Sequence, residues 1–172
     1  MTLSCLSLAS LSLSVSFAQT KWFKYEGNPV LDTGPPGAWD GRWAGVGRVI
    51  IDSSYRMWYT GSNGKSKQIG HAVSSDGIHW KKHPSNPVLP VDSSGWDSVE
   101  ASFAYVSHVG PTYHMWYSGG DSRTYGRIGY AHSADGVTWK RLPSPVLGGG
   151  SSPMESVPLG GPSVVGPDSV NR

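Results

Sequence analysis

Three carboxylates recur at an almost constant spacing along this chain of 172 residues. Asp97 follows Asp40 after 57 positions, and Glu155 follows Asp97 after 58. Carboxyl groups that converge on one cleft can divide acid and base chemistry, one donating a proton while another accepts a proton or attacks a carbon. The same repetition also suits a turn or cap that every structural repeat needs. The elements around the three residues must therefore be considered first.

The clearest repeat joins Tyr55–Leu89 to Tyr113–Leu147. The first copy opens with YRMWYTG and the second with YHMWYSG, and both continue through Ile-Gly, Asp-Gly, Trp-Lys and Pro-Val-Leu at matching positions. A fixed period of about 58 residues is typical of a solenoid, an array or a propeller.

Short strands are the predicted content of each repeat. Aromatic and β-branched residues alternate in runs that turn residues bound, and Ala44–Ile51 and Ala101–Ser107 add a further strand before each copy. Asp76-Gly77 predicts a tight hairpin from which Ile78–Trp80 returns as a strand, and the second copy repeats this arrangement with Val137–Trp139. Four antiparallel strands per repeat form a propeller blade.

The predicted fold is therefore an all-β propeller of four-stranded antiparallel blades, and it is incomplete. Weaker copies of the pattern extend past both clear repeats. The expected organisation of residues 19–172 is an outer strand over 21–26, a blade over 39–83, a second blade over 96–142, and the start of a third blade over 154–166. Because blades close in a ring, we expect a longer protein, a truncated gene product, or a second chain that completes the ring.

The first 18 residues resemble a secretory signal peptide. They are rich in Leu and Ser, carry no charge, and end in Ser16-Phe17-Ala18, which fits signal-peptidase cleavage. We therefore expect a secreted protein, with an organelle transit peptide as the alternative. The segment is too short and too rich in serine to span a bilayer, so no membrane association is predicted. The single cysteine, Cys5, lies in this leader, which leaves no disulfide in the mature chain.

Composition argues against several classes of partner. The formal net charge is +2, and the Lys and Arg residues are scattered, which argues against a nucleic-acid interface. The six histidines show no paired spacing of the kind that metal sites use, so neither a metal nor another cofactor is predicted.

The combined motifs resemble the five-bladed β-propeller glycoside hydrolases, the superfamily of arabinanases, β-xylosidases, invertases and levansucrases. The similarity rests on Trp-Asp-Ser, a Val-rich strand, Tyr-x-Met-Trp-Tyr-Thr/Ser-Gly, Ile-Gly-x-Ala, Ser-x-Asp-Gly-x-x-Trp and Asn-Pro-Val-Leu, and it covers residues 21–165. It implies that about two of five blades are present, and that a glycosidic bond is cleaved in a central depression. In such enzymes the inner strands of the first three blades supply Asp, Asp and Glu. The resemblance thus implies Asp40 as base or nucleophile, Asp97 as modulator and Glu155 as proton donor.

A structural role for these carboxylates is the competing interpretation. The family's acid usually stands at the start of the inner strand, where this chain has Val46, Phe103 and Gly161. A cap or turn in every blade explains the repetition equally well. Glu100, which has no acidic counterpart in the other repeats, is the second choice for a catalytic carboxylate.

Tryptophans near the expected central depression are candidates for stacking on a sugar ring. These are Trp39, Trp43 and Trp96, with packing between blades as the alternative role. The sequence therefore predicts a glycoside-hydrolase-like propeller that acts on oligo- or polysaccharides through carboxylate chemistry and that is inactive if the ring stays open. The alternatives are a carbohydrate-binding propeller without catalysis and a structural or partner-binding repeat.

Overall fold

The computed structural model describes residues 22–148 and 159–165, and in these residues the protein is all-β. Unit 1 consists of β1 (Trp43–Ile51), β2 (Tyr55–Ser62), β3 (Lys67–Ser74) and β4 (Lys81–Lys82). Unit 2 consists of β5 (Glu100–Val109), β6 (Thr112–Gly120), β7 (Arg127–Ser133) and β8 (Lys140–Arg141). No helix long and apolar enough to cross a membrane occurs in the described ranges.

Each unit is an antiparallel meander in which every strand pairs with the next one in sequence. The two units meet through one parallel pair, Lys67 with Glu100, at the starts of β3 and β5. The strands of unit 1 lie within the expected blade 39–83, and those of unit 2 lie within 96–142. The all-β class predicted from the sequence is confirmed.

The turn that follows β3 differs from the predicted tight hairpin. Residues 78–80 are not a strand, and the chain returns only at Lys81–Lys82. Asp76 explains the difference, because its Oδ1 accepts hydrogen bonds from the backbone N–H groups of Ile78 and His79, both at 2.8 Å. Those N–H groups therefore bond within the turn and not to β3.

The second copy of this turn has the same geometry. The Asp135 Oδ1 accepts the N–H groups of Val137 at 2.8 Å and Thr138 at 2.7 Å, and the returning strand is Lys140–Arg141, not Val137–Trp139. Both Gly77 and Gly136 have the positive φ that the Asp-Gly pair predicts, 78° and 75°. The wider turn is thus a property of the repeat.

The main core lies between the two units. The fully buried Trp58 of β2 donates from Nε1 to the Gly136 carbonyl at 2.8 Å and packs on Tyr113, with ring centroids 5.7 Å apart. Unit 1 also contributes Ile69 and Leu89, which are 0% and 1% exposed. Unit 2 covers this apolar face with a set of mostly small or aliphatic side chains: Ala101, Val106, Met115, Tyr117 and Ala131.

Arg56 joins the two units at the edge of this core. Its Nη1 donates to the Tyr113 hydroxyl at 2.6 Å, and its Nη2 donates to the Asp135 carbonyl at 2.5 Å. Its Nε donates to Nε2 of His71, at 3.3 Å, so the proton of this imidazole resides on Nδ1. That Nδ1 is buried and has no hydrogen-bond partner within the described ranges. Burial, aided by the charge of Arg56 and by His83, lowers the pKa of His71 to about 4.

Unit 2 presents the equivalent apolar face with much less cover. Val88 and Leu89 of unit 1 are 8% and 1% exposed, whereas their counterparts Val146 and Leu147 are 47% and 54% exposed. A groove of about 480 Å³ runs along this face, lined in part by Trp116, Leu147 and Val164. Within the described residues, this apolar face is therefore buried in unit 1 and exposed in unit 2.

Residues 159–165 begin to cover the open face in the same way that β5 covers unit 1. The Phe103 N–H donates to Oγ1 of Thr60 at 2.9 Å, and the Gly161 N–H donates to Oγ of Ser118 at 3.1 Å, both 58 positions later. Phe103 and Gly161 also share a positive φ, 50° and 61°. No strand is assigned to 159–165, and the rest of the expected segment 154–166 lies outside the described residues.

The remaining expected elements are the outer strand over 21–26 and the signal peptide over 1–18. Residues 22–26 form no strand, because none of the eight described strands pairs with them. Residue 21 and the expected signal peptide over 1–18 lie outside the described ranges.

Candidate active site

Asp40 is buried between the strands of unit 1 at 3% exposure. Its Oδ2 accepts a hydrogen bond from the Tyr59 hydroxyl at 3.1 Å and forms an ion pair with Lys82 Nζ at 2.6 Å. Burial, together with the neighbouring Asp40 charge, raises the pKa of Tyr59, so the phenol stays a donor. Asp40 therefore ties the segment before β1 to β2 and to the strand β4.

Asp97 repeats this arrangement in unit 2 at 1% exposure. Its Oδ2 accepts from the Tyr117 hydroxyl at 2.9 Å and from Arg141 Nη1 at 2.6 Å. Burial and the Asp97 charge raise the pKa of Tyr117 in turn. The Asp97 Oδ1 is buried without a hydrogen-bond partner in the part of the chain that the structure describes.

We call each of these carboxylate, tyrosine and cation sets a clasp: Asp40 with Tyr59 and Lys82, and Asp97 with Tyr117 and Arg141. Each clasp closes within its own unit, and among the described residues no ion pair links one clasp to the other. This geometry supports the structural interpretation of Asp40 and Asp97. Glu155 lies outside the described residues, so its catalytic role stays a prediction.

Trp39 and Trp96 pack inside their units next to the clasps. Trp39 lies 5.7 Å from the Tyr59 ring, and Trp96 stacks on Tyr117 with centroids 5.8 Å apart. A Cβ added at Gly61 would lie 2.5 Å from the Trp39 ring, so the repeated glycine admits the indole. These contacts support a packing role for both tryptophans, within each unit and not between blades as the alternative supposed. Trp43, at 39% exposure, begins β1 and remains free to meet a ligand.

One edge of the sheet collects the starts of the first strands and the hairpin loops between the second and third strands. The register aligns Trp43 with Ser62, Ser62 with Lys67, Lys67 with Glu100, and Glu100 with Gly120. We call this edge the mouth and define it as residues 42–43, 62–67, 99–103 and 120–127. Glu100, the second-choice carboxylate, begins β5 here.

Glu100 is largely buried in the mouth at 8% exposure, and its Oε1 has two partners. Lys67 Nζ donates to this oxygen at 2.9 Å, and the Ser102 hydroxyl donates to it at 2.6 Å. Lys67 itself is a third to a half exposed, since its side chain retains 44% of its accessible surface. The three side chains form a charge-balanced set with one solvent-facing member.

Two depressions adjoin Glu100. One, of about 220 Å³, is lined by the β2–β3 loop together with Lys67, Glu100 and Tyr125. The other, of about 210 Å³, is lined by Glu100, Phe103, Ser118 and Tyr125, with Leu159 and Gly160 on its far side. Glu100 thus lines a depression together with two aromatic side chains, the half-buried Phe103 and Tyr125, which is 50% exposed. A carboxyl group beside aromatic rings is the chemistry with which proteins hold and cleave sugars.

Phe103 reaches this position through backbone strain. It has φ of 50°, which is an uncommon conformation for a residue other than glycine and costs of order 1 kcal/mol or more. It lies at a register shift of β5, between Ser102 and Tyr105, and β1 has the matching shift between Gly45 and Gly47. The Lys67 Nζ lies 5.6 Å from the Phe103 ring centroid. The bulge therefore turns an aromatic ring toward the lysine and carboxylate pair.

Sequence reasoning missed Lys67, Phe103 and Tyr125 as site residues. The bulge at Phe103 breaks the strand alternation and its φ is not readable from an aromatic residue type. Tyr125 lies in a hairpin loop that differs between the repeats, SNGKS against GDSRTYG. The only available signal was position, because 103 aligns with the place where the resembled enzymes carry their acid. No group of three or more His, Cys, Asp and Glu side chains suited to a metal occurs within residues 22–148 and 159–165.

Comparison with known proteins gives relatives of greater length. No protein-family model matches the chain. An uncharacterized protein of Mycobacterium tuberculosis is 35% identical over 102 residues, which cover 55% of this chain and 32% of that protein. Fructan 1-exohydrolase of Aegilops tauschii is 28% identical over 153 residues, or 84% of this chain and 25% of that enzyme. The chain therefore spans a quarter to a third of the length of these curated relatives.

Solved structures give the fold. A structure from the GH130 family, described as containing glycoside hydrolases that target β-1,2 mannosidic linkages in Candida mannan, matches with TM-score 0.62 and 19% identity. The match covers 72% of this chain and 40% of that one. A glycosyl hydrolase from Bacteroides ovatus matches with TM-score 0.57 and 16% identity, over 63% of this chain and 33% of that one. At such identities the likeness establishes the fold alone, and the described part of the chain has the fold of part of these glycoside hydrolases, as its repeated motifs predict.

Proposed function

We propose that this chain is part of a five-bladed propeller that cleaves glycosidic bonds in oligo- or polysaccharides, and that Glu100 supplies a carboxyl group at the site of cleavage. The observation that carries the proposal is the position of Glu100. It is a carboxylate at the start of a first strand, in a depression that it shares with Phe103 and the exposed Tyr125, in a fold shared with glycoside hydrolases.

Two units amount to two-fifths of a five-unit ring. The match to the GH130 structure covers 40% of that chain, which agrees with this fraction. The uncovered Val146 and Leu147, and the contact from Gly161 to Ser118, support a third unit that packs on unit 2 as unit 2 packs on unit 1. Burying that face also removes an apolar surface that would favour aggregation.

The contacts of Glu100 fit an acid and base role. Hydrolysis needs one carboxyl group to protonate the leaving oxygen and another to activate water or attack the anomeric carbon. Lys67 and the Ser102 hydroxyl both bond to Oε1 and fix the direction of the carboxyl group. A second carboxyl group must come from elsewhere in the complete ring, and Glu155 remains the predicted candidate in this chain, because Asp40 and Asp97 are held in the clasps.

The experiment starts with the protein isolated at its native length from its source. Its mass gives the number of units, and release of reducing sugar from fructan, mannan, arabinan and xylan oligosaccharides gives the activity. We expect a mass near twice that of this chain, and turnover of at least one sugar class. Turnover per folded molecule that falls at least a hundredfold in Glu100→Gln, with the folded fraction measured by thermal unfolding, supports the assignment; the exposed Asp32→Asn is the matched control.

A carbohydrate-binding propeller without catalysis is the second candidate. The specific observation in its favour is that Asp40, Asp97 and Glu100 all have cationic partners within 3 Å. Ion pairs of this kind hold carboxylates in structural roles. Binding of an oligosaccharide at the mouth without release of any sugar product selects this function over the hydrolase.

A further inference from the structure

We propose that the saccharide held at the mouth carries carboxylate groups, as uronic acids do, and that Arg42, Lys65 and Arg123 recognise them. This inference rests on the proposed carbohydrate function and names the substrate class. It is carried by the balance of charges at the mouth, where cations outnumber carboxylates and the carboxylates already have partners.

The mouth contains five cationic side chains and two acidic ones. The cations are Arg42, Lys65, Lys67, Arg123 and Arg127, and the acids are Glu100 and Asp121. Glu100 pairs with Lys67 at 2.9 Å, and Asp121 pairs with Arg127 at 2.8 Å. Both acidic charges are therefore compensated within the protein.

Asp121 is held by its own loop as well. Its Oδ1 accepts the backbone N–H groups of Arg123 at 2.8 Å and Thr124 at 2.7 Å, and these bonds hold the pKa of the carboxyl group below its usual value. The carboxylate is thus turned toward the loop backbone and Arg127. It leaves the Arg123 side chain without an acidic partner.

Three cations remain uncompensated. Arg42, Lys65 and Arg123 are all exposed, and none has a carboxylate within 4 Å among the described residues. Lys65 lines the depression of about 220 Å³ beside Glu100, and Arg42 passes close to Gly64 in the same lining. Arg123 lies two residues from Tyr125, which lines both depressions. The excess positive charge therefore surrounds the proposed sugar site.

Carboxylates on a saccharide match this arrangement. A guanidinium presents a planar pair of donors that fits a carboxylate in two hydrogen bonds, and the ammonium of a lysine adds a point charge. A cleft lined by one sign of charge also concentrates ligands of the opposite sign. The ring of a uronic acid stacks on an aromatic face as a neutral sugar does, so Phe103 and Tyr125 serve either class. The cations alone distinguish the acidic from the neutral sugar.

The test compares two ligands that share one sugar backbone and differ in charge and in one methyl group on each carboxyl. Binding of trisaccharides of galacturonic and of glucuronic acid to the native-length protein is measured by calorimetry, beside their fully methyl-esterified forms. At low salt we expect the acidic form to bind at least about fivefold more tightly than its ester, since each water-screened attraction over about 4 Å contributes about fivefold. Raising the ionic strength to about 1 M removes most of this preference, because the screening length then falls to about 3 Å.

Substitutions identify the cations responsible. The double variant Arg42→Ala with Lys65→Ala is expected to lose the preference for the acidic form while keeping the affinity for the ester. Lys81→Ala is the matched control, because Lys81 is an exposed lysine on β4, away from the mouth. A double variant that keeps the preference overturns the inference.

The outcomes distinguish a failure of the acidic-sugar inference from a failure of the proposed carbohydrate function. Equal binding of acid and ester by the wild type overturns the inference and leaves the carbohydrate function standing. Binding of neither form, together with no binding of neutral oligosaccharides, contradicts the proposed function and the inference with it.

Discussion

The buried imidazole of His71 predicts a specific loss of stability in mild acid. His71 is 1% exposed, and the groups that face it are Arg56 on β2, His83 after β4, and Asp52 and Asp135 in nearby turns. In the unfolded chain its pKa is about 6.5, whereas in the folded protein it is about 4. At pH values between these two pKa values, His71 is therefore protonated in the unfolded state and neutral in the folded state.

The sign and size follow from this difference. Because the folded pKa is lowered, His71 has its full favourable effect above pH 6.5 and loses it progressively as the pH falls toward 4. Complete loss amounts to about 3 kcal/mol, and lowering the pH from 7 to 5 removes about 2 kcal/mol. Protonation would also place a cation against Arg56, which joins the two units through Tyr113 and Asp135. Acid should thus act first at the contact between the units.

Urea unfolding at pH 7, 6 and 5 provides the assay. The variant His71→Gln keeps an acceptor for Arg56 and cannot be protonated, so its free energy of unfolding is expected to fall about 2 kcal/mol less than that of the wild type over this range. His132→Gln, which changes an exposed histidine, is the control and should follow the wild type. Equal pH dependence of the wild type and His71→Gln would refute the reasoning.

Three further predictions concern the clasp, the strained bulge and the open face. Asp97→Asn removes the charge that pairs with Arg141 and should cost about 3 kcal/mol of stability, whereas the exposed Asp32→Asn should cost under about 0.5 kcal/mol in the same urea titration. Phe103→Gly should be more stable than Phe103→Ala by about 1 kcal/mol, because only glycine adopts φ of 50° without strain; an alanine variant of equal stability would contradict the strain. Leu89→Ala should cost about 3 kcal/mol of stability in this chain, because Leu89 is buried. Leu147→Ala should cost under about 1 kcal/mol, because Leu147 is 54% exposed. Equal costs would contradict the prediction and mean that the apolar face of unit 2 is also covered.

Much of the fold could be predicted because its determinants are local and repeated. The Tyr-x-Met-Trp-Tyr runs alternate with period two, and glycines appear where Trp39 or Trp96 presses on a neighbouring strand. The returning strands were misplaced by two or three residues. The reason is that Asp76 and Asp135 capture backbone N–H groups inside the turn, a choice between two hydrogen-bonding schemes that residue types do not reveal.

The candidate site was harder to predict because it depends on contacts between units. Regular spacing drew attention to Asp40 and Asp97, yet regularity is also what a structural clasp requires of every unit. Glu100 occurs in one unit only, and its importance follows from the parallel pair with Lys67 and from the rings of Phe103 and Tyr125. A site made by one unit against the next leaves no periodic signal in the sequence.

We propose that sugar chemistry takes place at the mouth and that each clasp stabilises its own unit. The most direct test is turnover per folded molecule for Glu100→Gln and Asp97→Asn in the native-length protein, with thermal unfolding measured in parallel. We expect Glu100→Gln to abolish turnover per folded molecule, whereas Asp97→Asn lowers the melting temperature further and leaves turnover per folded molecule within about threefold of the wild type. Full turnover in Glu100→Gln, with loss of turnover and unchanged stability in Asp97→Asn, would contradict this proposal.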